Sequence, residues 1–242
     1  MAVFSDIHGN CVAFDSVLAD IKKQSVDGMV CLGDAIQGGA QPAETVSRLR
    51  EYRVPTVMGN ADSWLVTGEY PHAKEPNSDA LMEVRAWSLS RLKKRDIDFI
   101  RRFRRTIRIS LGERDLLCFH GSPSSFNDQI WPTTKEEEFA KMVGGRGNAI
   151  LCGGHTHLQQ LRRFKDSFFF NPGSVGFTSD HSQTAEKLRA DDWAEYAVVS
   201  SEGKAVGLEF RRVPFDAREW IRLTTVSGRP HADAVASEYS GV

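Results

Sequence analysis

The sequence has no apolar run approaching the roughly 20 residues that a membrane-spanning helix needs. It has no excess of either charge, since 31 Lys and Arg stand against 32 Asp and Glu for a formal net charge of -1, which removes any bulk attraction to nucleic acid or anionic lipid. Cysteine is scarce: the four residues Cys11, Cys31, Cys118 and Cys152 show no CxxC spacing and lie in apolar runs or at a helix start, as buried free thiols of a reducing compartment would. Internal repeats, low-complexity tracts and long linkers are also missing, so one domain over residues 1–242 is expected. Only four residues precede Ser5, too few for a signal peptide, and a cytoplasmic location with no membrane partner is the expectation. What remains, at 40% hydrophobic and 26% charged residues, suits a compact enzyme with a full core.

The order of elements suggests an α/β fold. AVF (2–4) and GMVCL (28–32) read as strands separated by the helical stretch CVAFDSVLADIKKQ, and PAETVSRLREY leads to a third strand, VPTVM (54–58). This βαβαβ order implies right-handed crossovers and a largely parallel sheet. Leu81, Val84, Leu89 and Leu92 recur at helical spacing, giving one or two helices within 78–104. TIRISLG, DLLCF, AILC, SFFF, YAVVS and AVGLEFRRV then read as strands. A last helix is expected from about Asp216, and the polar stretch from Ser227 is expected to be loosely held.

Five apolar runs each stop at residues able to hold a metal ion: Asp6 and His8, Asp34, Asn60, His120, and His155 with His157. Strands ending in polar residues would gather these along one sheet edge, where open α/β proteins keep their sites. Imidazole with carboxylate suits manganese, iron, zinc, cobalt or nickel, whereas magnesium and calcium favour oxygen ligands. Seven side chains exceed one tetrahedral centre but would serve two ions sharing a carboxylate. Two divalent ions outweigh Asp6 and Asp34 in charge, so the centre would favour a phosphate-type anion over a neutral amide.

In sequence order, Asp6-Ile7-His8, Gly33-Asp34, Gly59-Asn60, His120-Gly121 and Gly154-His155-Thr156-His157 resemble the calcineurin-like metallophosphoesterase superfamily. The match is closest to its small bacterial and archaeal phosphodiesterases, which begin SDIHGN and continue to NPGSVG, here Asn171 to Gly176. The resemblance implies two facing mixed β-sheets flanked by helices in place of a doubly wound sheet. It also implies that Asp6, His8, Asp34 and His157 hold one ion, that Asp34, Asn60, His120 and His155 hold the other, and that a hydroxide between the ions attacks phosphorus. Asp34 would be the bridge, and Asp34, Asn60 and His120 form the expected catalytic set. Manganese is the first expectation for both ions. Asn60, Asn10, Asn171 and His181 are the candidate substrate contacts, and a small phosphoester or nucleotide is the expected substrate.

One position departs from the pattern. The family's more common form carries His after the metal-binding Asn and assigns it to leaving-group protonation or transition-state stabilisation, whereas Ala61 stands here. Without that proton donor, activated aryl diesters should react better than alkyl phosphates. Asp62 is read as orienting a ligand from behind. Alternatives are a nuclease, a protein or nucleotide phosphatase, or a non-catalytic scaffold like the retromer subunit of this fold. Nine Lys and Arg residues within 91–108 could bind nucleic acid but read better as a solvated surface. His72, His181 and His231 match no ligand motif, although His181 could supply the missing acid, and Lys187 and Arg189 could contact phosphate. Loops over 35–41, 63–78, 122–132 and 177–192, with Trp64, Tyr70, Phe126 and Trp131, would set specificity or simply pack.

Overall fold

Residues 1–69, 78–145, 149–183 and 189–239 are described by the computed structural model, which leaves Tyr70, His72 and Lys187 outside the described residues. In chain order the first elements are β1 (Ala2–Phe4), α1 (Cys11–Ile21), β2 (Met29–Cys31), α2 (Pro42–Glu51), α3 (Asn60–Thr67), α4 (Ser78–Arg91) and α5 (Lys94–Ile100). There follow β3 (Ile107–Leu111), β4 (Arg114–Cys118), α6 (Glu136–Met142), β5 (Ile150–Cys152), β6 (Gln160–Phe164) and β7 (Ser167–Asn171). The chain closes with β8 (Trp193–Glu202), β9 (Ala205–Pro214), α7 (Ala217–Val226) and α8 (Ala232–Glu238).

These strands form two mixed sheets, one ordered β2-β1-β8-β9 and the other β3-β4-β5-β7-β6. Period-two alternation sorts their side chains into layers. Val3, Val30, Leu116, Cys118, Ile150, Cys152, Phe170, Ala197 and Val199 share one core between the sheets. The alternate residues Ala2, Phe4 and Cys31 pack outward with Phe14, Leu18, Leu49 and Trp220 of the helices. On the other outer face, Leu117, Leu151 and Phe169 pack with Phe139 of α6. Strands covered on both faces read as continuous apolar runs, which is why they were visible in the sequence. All four cysteines are buried and free. Among the described residues no helix is long and apolar enough to cross a membrane.

Three expectations change. The 54–58 run is extended but forms only the isolated bridges Cys31 to Thr56 and Val57 to Arg104, so it is no full strand. β6 is an additional strand, paired antiparallel to β7; its sequence QLRRF is polar, and Leu161 is 59% exposed, as an edge strand tolerates. The stretch after Ser227 is not loose throughout, because α8 packs back and Tyr239 is buried in the helix-side core.

Candidate metal centre

Every candidate ligand follows an apolar strand or extended run, in the turn after it or, for Asn60, as the first residue of α3. β1 pairs parallel with β2, and β4 with β5, so the turns that follow each pair emerge together. The backbone N–H of His155 donates to Asp6 Oδ2 at 3.1 Å, joining the turns of the two sheets. Five of the seven ligand candidates have φ in the left-handed region: Asp6 at 55°, His8 at 46°, Asp34 at 49°, His155 at 71° and His157 at 55°. Such backbone costs roughly 1–3 kcal/mol per residue and clusters at functional sites. Asp and His tolerate it better than most residues, so the side chains suited to metals are also those these turns accept. Glycine is needed where turns touch: a methyl group on Gly59 would overlap Asp34 Oδ1, and one on Gly154 would overlap Ser5 Oγ.

The side chains converge in two triads, Asp6 with His8 and His157, and Asp34 with His120 and His155, with the ligand atoms of each within 4.8 Å of one another. In the first, His8 Nε2 lies 3.2 Å from His157 Nε2, and Asp6 Oδ1 lies 3.4 Å from His157 Nε2 and 3.8 Å from His8 Nε2. Asp34 Oδ2 stands between the triads, 3.3 Å from His120 Nε2 and 3.9 Å from His8 Nε2. Asn60, the first residue of α3, places one amide atom 2.8 Å from His120 Nε2. With the amide reversed, its nitrogen would lie 2.9 Å from His155 Nδ1. All seven predicted ligands therefore meet at one place.

Backbone carbonyls fix the imidazole tautomers. Nδ1 of His8 donates to Gln37 O at 2.8 Å, Nδ1 of His120 to Leu32 O at 3.0 Å, and Nδ1 of His157 to Phe177 O at 3.1 Å. A ring that spends its Nδ1 proton this way turns the Nε2 lone pair inward, as metal-ligating histidines do. Asp6 Oδ1 is buried and has no hydrogen-bond partner. Lone pairs facing lone pairs at such distances need a cation between them, and imidazole with carboxylate suits a divalent transition metal. On these grounds the residues fit two metal ions.

Charge within the site follows the same logic. Burial pushes the Asp6 and Asp34 carboxyls up, but the adjacent histidines outweigh it and hold both below the usual carboxylate range. Burial lowers His120, and Asp34 more than reverses this to bring it to about 9. His157 is likewise raised by Asp6 against burial. His155 falls to about 4, through burial and then the charge of His120.

Other expected residues have scaffolding roles. Asn10 caps α1, accepting from Ala13 N at 3.0 Å, and donates to Gly176 O at 3.1 Å. Asn171 donates to Gly154 O at 2.7 Å and to Thr156 Oγ1 at 3.0 Å, and accepts from Gly173 N at 2.9 Å. Both are fully buried with their amides engaged, so they position turns in place of the substrate contact expected of them. His181 is exposed; its Nε2 lies 3.5 Å from His157 O and its ring packs edge-on against Trp131. His231 pairs with Glu83. Asp62 accepts from Ala35 N at 3.0 Å and Ile36 N at 2.9 Å, holding the loop behind Asp34. In the basic run, Lys94 and Arg101 pair with Asp98, and Arg108 with Asp115.

The NPGSVG turn serves as a splint. Ser174 Oγ and Gly176 N donate to Asp6 O at 2.9 Å each, and Val175 N donates to Ser5 O at 3.0 Å. The NPGSVG pattern marks this turn in the sequence but not its mechanical role. No motif marks Trp220, Arg229 and Tyr239, which line a cavity with His8 and His157.

Residues 1–191 match the family model of the calcineurin-like phosphoesterase superfamily domain, and the chain belongs to that superfamily. It is 27% identical over 237 residues to the uncharacterized protein MJ0912 of Methanocaldococcus jannaschii, a match covering 90% of this chain and 89% of the relative. Its fold is similar to that of the hypothetical protein PH1004 from Pyrococcus horikoshii OT3, with a TM-score of 0.80, 18% identity, and coverage of 100% of this chain and 98% of the other. It is similar also to a metallophosphoesterase from Sphaerobacter thermophilus, with a TM-score of 0.70, 20% identity and 98% coverage of both chains.

Proposed function

We propose that this chain is a two-metal phosphoesterase acting on a small phosphodiester or nucleotide. The observation that carries the reading is the position of Asp34 Oδ2, within 3.9 Å of His8 Nε2 and 3.3 Å of His120 Nε2, where one carboxylate can serve both triads. When bound, two divalent ions supply Lewis acidity and a water deprotonated near neutral pH, with manganese the first candidate. Asp6, His8 and His157 would hold one ion, and Asn60, His120 and His155 the other, with Asp34 shared.

The chain's own groups set the rest of the chemistry. Two carboxylates against two divalent ions leave the site cationic, which favours a phosphate group over a neutral ester. His8 and His157 side chains are 23% and 20% exposed, whereas those of Asp6 and His120 are fully buried, so substrate approaches from the His8 side. Asn60, at the start of α3, orients a phosphate oxygen. Ala61 offers only its backbone N–H, which donates to Asp34 Oδ1 at 2.7 Å, and no proton for a leaving group. Esters whose leaving groups depart without protonation are therefore the better substrates.

The test is a metal-supplemented screen over mono- and diesters, cyclic nucleotides and dinucleoside polyphosphates, comparing the wild type with Asp34→Ala. The expected result is manganese-dependent turnover, strongest on aryl diesters and reduced at least about 1,000-fold by the substitution, as loss of a shared metal ligand implies. A chain that binds no metal and hydrolyses none of these esters would be a scaffold instead.

A further inference from the structure

The metal centre opens on one side into a cavity of about 230 Å³ whose far wall is built by the C-terminal segment. His8 and His157 form its inner end, Phe177, Trp220 and Tyr239 its aromatic walls, and Arg229 its polar corner. Two donors in this region have no protein partner among the described residues. Trp220 is 2% exposed, and its buried indole Nε1 has no hydrogen-bond partner. Arg229 donates through Nε to Gly38 O at 2.6 Å, and through one Nη to Pro230 O at 2.7 Å and His231 O at 3.3 Å. Its other Nη has no partner among the described residues, and none of their carboxylates pairs with it; Glu238 acts on it only at longer range.

The spare Nη of Arg229 at the polar corner gives a ligand a charged donor for its acceptors. The aromatic walls select a flat group, whose faces stack on rings and on a guanidinium plane. The volume is below the roughly 300–1,000 Å³ of pockets for drug-sized ligands, enough for one ring system but not for a run of nucleotides.

We propose that this cavity is the subsite for the organic group of the reacting ester, a planar heteroaromatic ring system of nucleobase type, with Trp220 and Arg229 as its specificity-determining residues. The proposal rests on the phosphoesterase reading for where the phosphate sits, but binding can be measured without turnover.

Calorimetric titration of the full, manganese-loaded chain with AMP, ribose 5-phosphate and inorganic phosphate tests it. AMP is expected to bind at least about tenfold more tightly than ribose 5-phosphate, the gain expected of a well-placed ring and its hydrogen bonds. Arg229→Gln and Trp220→Phe should each cut that preference to less than about threefold while manganese content stays at the wild-type level. Trp220→Phe removes the indole N–H but keeps an aromatic wall, and Arg229→Lys replaces Arg229→Gln if thermal melting shows the latter misfolded. Equal binding of AMP and ribose 5-phosphate by the wild type, or a preference that survives both substitutions, overturns the proposal. Preferential AMP binding without hydrolysis of any ester leaves the subsite standing and removes the enzymatic reading; turnover without that preference does the reverse.

Discussion

His8, His120 and His157 owe their usefulness to hydrogen bonds with Gln37, Leu32 and Phe177 carbonyls, since a free imidazole would lose both orientation and tautomer. At the same scale Ala61 is the most informative side chain, because its methyl stands where the related pattern places a proton donor. Ala61→His is expected to raise turnover of alkyl phosphodiesters by roughly 100–10,000-fold relative to aryl diesters, in line with the usual worth of general acid catalysis. A series of esters of graded leaving-group pKa reads this directly: the slope of log rate against pKa should flatten in the variant, and an unchanged slope contradicts the assignment. Asn10 illustrates a signal present in the sequence and read for the wrong purpose. Asn immediately before a helical run is a cap, and its buried amide performs that task.

Among elements, the turn after β7 and the strand β8 carry the splint behind the metal loops. Asn171 makes three hydrogen bonds there while fully buried, so Asn171→Ala leaves several groups unpaired and should cost about 2–4 kcal/mol of stability, measured by urea denaturation. Manganese affinity should fall with it, since Gly154 and Thr156 frame His155. In β8, burial raises the Glu195 carboxyl from 4.5 to about 7, although Arg212 lies at 3.0 Å and pulls the other way. A carboxyl that holds its proton more tightly when folded favours the native state where it is protonated. Its contribution is fully present below about pH 4.5 and is lost as pH rises through about 7. The wild-type thermal midpoint should therefore drop between pH 5 and 8 by about 5 °C more than that of Glu195→Gln, corresponding to roughly 2 kcal/mol. Parallel pH profiles for the two proteins would remove Glu195 from this role.

For the whole molecule, two sheets bring the seven candidate ligands together at one end while their strained turns are held from behind. Ions that bind only this assembled state stabilise it, by about 2.7 kcal/mol at a free concentration 100 times Kd. With roughly 2–4 °C per kcal/mol for a chain of this size, manganese should raise the thermal midpoint by about 5–10 °C, and a chelator should reverse the rise. An unchanged midpoint at saturating manganese would mean that the folded chain holds no ions.

The candidate ligands stood out in the sequence because each apolar run stops at an Asp, Asn or His, and both sheets were implied by the family resemblance those motifs carry. Less legible were features set by tertiary packing. QLRRF pairs as an edge strand despite its polar composition, and 54–58 looks like a strand but has single bridges on either side. Trp220, Arg229 and Tyr239 lie far along the chain from any ligand motif, and only the docking of α7 and α8 brings them to His8 and His157.

Manganese counting by inductively coupled plasma mass spectrometry, on wild-type protein and Asp34→Ala after loading and removal of free metal, bears most directly on the shared centre. The arrangement of Asp34 between two triads predicts two ions per wild-type chain and fewer than one in the variant. Full manganese content in Asp34→Ala, or none in the wild type, would contradict it.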